Sequence, residues 1–176
     1  ELTRQQGQGE GSDPLERAQH YLDKGRYNDA RTALDAVKDA DPLTIVVARA
    51  RLAVGLGDSA EALEQLLAVE ELAKREAETP AGRAWRLYLT RAYVGVADYA
   101  KALEVVEPIT SDETGLGAEA LAFKGSALSF LGRHDEAREA LRSARARLVE
   151  RAQNIEDAAL RASFLEKVPE HSRTLA

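Results

Sequence analysis

Residues 131–141 read LGRHDEAREAL. His134 is followed at once by Asp135 and Glu136, a combination that can ligate a metal or move a proton. The same frame recurs three times upstream without a histidine. Gly25-Arg26-Tyr27-Asn28-Asp29-Ala30, Gly57-Asp58-Ser59-Ala60-Glu61-Ala62 and Ala97-Asp98-Tyr99-Ala100-Lys101-Ala102 align without gaps on Gly132-Arg133-His134-Asp135-Glu136-Ala137. His134 therefore takes the place of Tyr27, Ser59 and Tyr99. The spacing assigns it to packing at a turn between helices, with Asp135 and Glu136 in the first turn of the next helix, where the macrodipole favours acids. His20 and His171 read as surface residues.

The register extends on both sides of the turn. Four residues after each alanine stand Leu34, Leu66, Val106 and Leu141, and three further on stand Val37, Val69, Ile109 and Ala144. Seven residues before the turn stand Ala18, Ala50, Thr90 and Gly125, and three after those come Tyr21, Ala53, Tyr93 and Leu128. Small and apolar residues at steps of three and four make one face of a helix. A small residue then breaks the chain and a second helix begins. Its alanine lets the two helices approach closely. One such hairpin cannot bury its own apolar face, so the four are expected to stack. Successive turns lie 32, 40 and 35 residues apart.

This pattern resembles the tetratricopeptide repeat (TPR), whose unit carries a small residue, an aromatic, a turn glycine, an aromatic and an alanine in this order. The first copy resembles it most, with Ala18, Tyr21, Gly25, Tyr27, Ala30, Leu34 and Pro42. The third has Ala97 for the glycine, and the second has Ala53 and Ser59 where aromatics are usual. The resemblance spans about residues 13–145. It implies an all-α, right-handed superhelical stack of about four helical hairpins, with a C-terminal capping helix.

Turn and cap residues set the expected boundaries. Residues 1–12, ELTRQQGQGEGS, read as a flexible lead-in or linker, 13–154 as the repeat array, and 155–176 as capping helix and tail. Asp13-Pro14, Asp41-Pro42 and Thr79-Pro80 each place a capping residue before a proline, the usual opening of a helix. Helix pairs are expected near 14–24 and 28–40, 43–55 and 59–77, 81–95 and 99–107, and 118–131 and 135–153. A long second helix at 59–77 would account for the 40-residue interval. Pro108 should end or kink the helix before it. Leu160, Phe164 and Val168 form a stripe at steps of four, which should cover the apolar face of the last hairpin. Pro169 then ends that helix.

The closing run, RASFLEKVPEH, resembles the C-terminal end of large bacterial signalling proteins in which an NTPase or Ser/Thr kinase domain precedes a TPR array. That resemblance implies a cytoplasmic regulatory module, and a start without Met fits a processed form or an excised domain. The chain of 176 residues carries a formal charge of −6 and no cysteine. Disulfides and thiolate metal sites are thereby excluded. No apolar run approaches the roughly 18 residues of a membrane span.

No phosphate-binding glycine loop, nucleophile elbow or zinc-binding His pair occurs. Gly7, Gly9 and Gly11 alternate in a polar stretch, and Glu61, Glu64, Glu70, Glu71 and Glu76 read as a solvated helix face. No catalytic residue, cofactor or metal is assigned, and the chain reads as a non-catalytic module. What remains is binding of a protein or peptide, or of another domain of the same parent chain. In stacked hairpins the first helices line a concave groove. The register puts Leu15, Gln19, Leu22, Thr44, Val47, Arg51, Val54, Leu87, Arg91, Val94, Ser126 and Phe130 there. Arg51 and Arg91 hold equivalent positions in adjacent repeats and suit a carboxylate or acidic segment. The alternative is local pairing with acids. A second function class is a helical-repeat reader of nucleic acid, which the negative charge and the lack of a basic stripe oppose.

Overall fold

A computed structural model describes residues 13–112 and 115–166. Among the described residues there is no strand, and ten α-helices follow one another. They are α1 Pro14–Asp23, α2 Tyr27–Asp35, α3 Pro42–Gly55, α4 Ser59–Leu67, α5 Glu70–Arg75, α6 Pro80–Gly95, α7 Tyr99–Val106, α8 Leu116–Phe130, α9 His134–Gln153 and α10 Ala158–Glu166. Four hairpins result: α1 with α2, α3 with α4, α6 with α7 and α8 with α9. The first helices α3, α6 and α8 also pack on both helices of the hairpin before them.

The four turns close by one hydrogen-bond device. The N–H groups of Arg26, Asp58, Asp98 and Arg133 donate to the carbonyls of Tyr21, Ala53, Tyr93 and Leu128 at 2.8–2.9 Å. This six-residue closure needs a left-handed residue just past the helix. Gly25, Gly57 and Gly132 supply it at φ 67°, 87° and 76°, but the third turn uses Ala97 at φ 62°. A side chain there costs about 1–2 kcal/mol, and glycine in its place loses only part of that gain to chain entropy. Ala97→Gly should raise stability by about 0.5–1 kcal/mol in urea denaturation. An unchanged or lower midpoint would contradict the strain.

Helix starts follow the sequence in two of three cases. Asp41 accepts from the Thr44 N–H at 2.7 Å and from its hydroxyl at 2.6 Å. The Thr79 hydroxyl oxygen accepts from the Gly82 N–H at 3.0 Å. Asp13 stands before Pro14, but its side chain makes no capping bond. The Thr44 hydroxyl, then the Thr44 N–H, hold the Asp41 carboxyl below its ordinary pKa. A depressed carboxylate stabilises the fold above its unfolded pKa, and that contribution is lost as pH falls through the folded value. Asp41→Ala should cost about 1 kcal/mol at neutral pH. The deficit should fade well below the usual aspartate pKa of about 3.9, where the parent loses its carboxylate too. Urea melts of both chains at neutral and acid pH would read this out.

Several expectations are corrected. The long helix at 59–77 is two, α4 and α5, separated at Ala68 and Val69. The Trp85 indole N–H donates to the Leu66 carbonyl at 2.9 Å. That carbonyl is the acceptor a continuing helix would offer to the Glu70 N–H, so the helix stops and restarts. Pro108 acts as expected: α7 ends at Val106 and a 3-10 turn follows at Glu107–Ile109. His134 does not pack at its turn but is exposed as the first residue of α9. Its counterparts are each covered by the hairpin that follows. A Cβ at Gly55 would run into the Tyr27 ring, and one at Gly95 into Ser59. Tyr99 stacks on Phe130 with ring centroids 4.6 Å apart. His134 belongs to the fourth hairpin and has no such cover among the described residues.

The final helix docks on the fourth hairpin as expected, but not with the whole of the expected stripe. α10 packs on α9, where the Arg151 guanidinium lies over the Phe164 ring at 5.5 Å. Leu160, however, is exposed, because this short helix turns other residues toward α9. Residues 1–12, Val168, Pro169 and His171 lie outside the described residues.

Candidate cleft on the first helices

A cleft of about 380 Å³ runs across the array. Its lining comes from the first helices alone: Gln19, Leu22 and Asp23 of α1, Thr44, Val47, Ala48 and Arg51 of α3, Pro80, Ala81, Ala84 and Tyr88 of α6, and Leu116 of α8. Ala48, Ala81 and Ala84 line it with small side chains, and the larger Leu22, Val47 and Leu116 complete its apolar lining. Apolar lining with a few placed polar groups is the usual character of a binding cleft.

The polar groups are oriented by their neighbours. The Arg51 guanidinium donates to Asp23 Oδ1 at 2.6 Å. Asp23 has a side chain 64% exposed, so this pair stays in contact with solvent. Pairs of that kind contribute about 0–1 kcal/mol, and an incoming carboxylate can share or take over the guanidinium. The Thr44 hydroxyl gives its proton to Asp41, so it meets the cleft as an acceptor.

Gln19, Leu22, Thr44, Val47 and Arg51 of the expected groove residues thus come together. The others lie elsewhere. Leu15 packs in the first hairpin. Val54 and Val94 pack against the central cluster. Leu87 is 1% exposed among Val106, Ile109 and Ala120, so it is a core residue, since α8 closes over that face of α6. Arg91 lies over the Phe123 ring at 5.8 Å. Ser126 donates to the Ala122 carbonyl of its own helix. Phe130 is mostly exposed while stacking on Tyr99.

Tyr88 was not reached from the sequence. The signal was present: Ala81, Ala84 and Tyr88 follow at steps of three and four, a helical stripe one residue over from the stripe through Leu87. Among the described residues no group of three or more acidic or histidine side chains is placed to hold a metal. No helix there is long and apolar enough to cross a membrane.

Residues 118–144, most of the fourth hairpin, match the family model of the tetratricopeptide repeat. The matched copy is thus the fourth, whereas the first carries the aromatic positions most fully. A solved structure titled MamA AMB-1 C2221 superposes with a TM-score of 0.55 at 21% identity, covering 92% of this chain and 91% of that one. The fold is a TPR-like helical repeat. Among curated proteins, none matches the chain. Four hairpins closed by one turn device, each with a buried alanine where its helices touch, are the physical content of that likeness. Repeats of this kind serve as protein-interaction scaffolds, and their matching positions are structural.

Proposed function

We propose that this TPR-like array is the regulatory interaction module of a larger bacterial signalling protein, working in the cytoplasm without catalysis of its own. Its cleft takes an extended segment of a protein partner or of another domain of the parent chain. The observation that carries this reading is the composition of the cleft, which is lined by first helices alone and joins an apolar floor to one oriented guanidinium. An aliphatic side chain of the segment would enter between Val47 and Ala84, and a neighbouring carboxylate would meet Arg51. Support for the signalling context comes from the closing run RASFLEKVPEH.

Filling the cleft tests this. Ala84 is half-buried on the cleft wall, and Ala84→Phe should occupy the space of an incoming side chain. Binding of the parent protein's other domains, or of peptides tiled across them, should weaken by at least about tenfold, or roughly 1.4 kcal/mol. Circular dichroism melts should confirm that Ala84→Phe remains folded. Unchanged affinity in a folded variant would move the binding surface away from the cleft.

A further inference from the structure

Leu34, Leu66 and Val106, on the second helices of the first three hairpins, are at most 1% exposed. Each is covered by the next first helix. Leu34 packs with Ala48 and Leu52 of α3, Leu66 with Trp85 of α6, and Val106 with Ala120 of α8. Leu141 of α9 holds the same position and is 40% exposed. Arg145 and Val149 follow it at steps of four on the same face of α9, and both are exposed among the described residues. The stripe is thus apolar at both ends with a cation between.

The helix after α9 runs back toward this stripe. The Arg161 guanidinium donates to the Ile155 carbonyl at 2.7 and 2.9 Å, and the Arg151 guanidinium lies 5.5 Å from the centroid of the Phe164 ring. As α10 advances from 161 to 164, its partners recede from 155 to 151. Arg161, Phe164 and Leu165 are half-buried, whereas Leu160, Ala162 and Glu166 are exposed. Val168 continues the covered face, four residues after Phe164 and seven after Arg161. The sequence goes on through KVPEHSRTLA, residues 167–176. Leu141 lies ten residues of helix from Arg151, about 15 Å. From Glu166 to Leu175 the chain can span about 30 Å, twice what is needed.

We propose that residues 167–176 of the same chain cover this stripe and end the stack. Val168 lies on Val149, the Glu170 carboxylate meets the Arg145 guanidinium, and Leu175 closes over Leu141. Pro169 takes the chain out of α10, so the remainder crosses the stripe in extended form. The contact needs no second copy, because a segment tethered at α10 acts on its own α9 at an effective concentration of about millimolar. It shields the face on which a further hairpin would stack. It uses neither the cleft nor its partner.

The chain has no cysteine, so Leu141→Cys places a single thiol under the proposed cover. In the whole chain that thiol should react with a water-soluble thiol reagent at least about tenfold more slowly than in the same chain carrying Val168→Asp/Leu175→Asp, since it reacts only through opening of the tail. The protection should be the same from micromolar to near-millimolar protein. Arg145→Cys repeats the comparison at a second point on the stripe, and circular dichroism melts check that each variant is folded. Equal rates with both tails would overturn the proposal. Protection that grows with protein concentration would put another copy over Leu141 and overturn it as well.

Discussion

Trp85→Ala should lower stability by about 3–5 kcal/mol, the usual cost of emptying a large buried aromatic site. Trp85 is 4% exposed and lies in the cluster that joins the second and third hairpins, among Leu43, Leu66 and Leu89. Its removal leaves a void between α4 and α6 that backbone on both sides prevents from closing. It also leaves the Leu66 carbonyl without the indole donor. Trp85→Phe separates these two effects. That variant retains much of the packing and loses the N–H, which is worth about 1 kcal/mol. The two variants should therefore fall in order below the parent in urea denaturation followed by circular dichroism. Trp85 is the one tryptophan of the chain and is buried, so its emission should shift to the red on unfolding and report the same transition. Equal stability of Trp85→Ala and the parent would mean that the second and third hairpins are not joined there.

Ala102→Leu should cost about 1–3 kcal/mol through overpacking. Ala102 is fully buried on α7, as are Ala30 and Ala62 at equivalent positions on α2 and α4. The alanine methyl sets how closely the paired helices approach. Three added carbons must push α7 away from α6, and both helices are held at their shared turn by the Asp98 to Tyr93 hydrogen bond. The strain cannot spread along the chain from there. Ala100→Leu, two residues earlier on an exposed face, is the control and should change the melting temperature little. If the two variants melt alike, the register of the third hairpin is wrong.

These effects trace the physics of a repeat. No hairpin here has a core of its own size. Apolar clusters span neighbours, as Trp85 of α6 and Leu66 of α4 do. Stability is then a sum of local hairpins and the interfaces between them. A mutation at an interface is felt by two hairpins, and one at an exposed turn by one.

The alignment of four short segments carried the hairpins, their turns and the buried alanines. Those features rest on local chemistry: a left-handed residue after the helix, a capping oxygen before the next, and small side chains at a fixed spacing. Such devices act within a few residues, so they are written in order along the chain. Burial is not local. His134 and Leu141 have the same register as Tyr27 and Leu34, yet the two in α9 are exposed because no hairpin among the described residues stacks on that half of the helix. Periodicity states which residues share a face and leaves open whether anything covers it. The break between α4 and α5 was equally out of reach, since it depends on an indole 19 residues away taking the Leu66 carbonyl. In the cleft, sequence alone determined which helices face it and placed Gln19, Leu22, Thr44, Val47 and Arg51 on it. Only the tertiary structure decided that Leu87 is turned into the core and Tyr88 into the cleft. One residue is 100° of helix rotation, and the packing of α8 against α6 sets that angle.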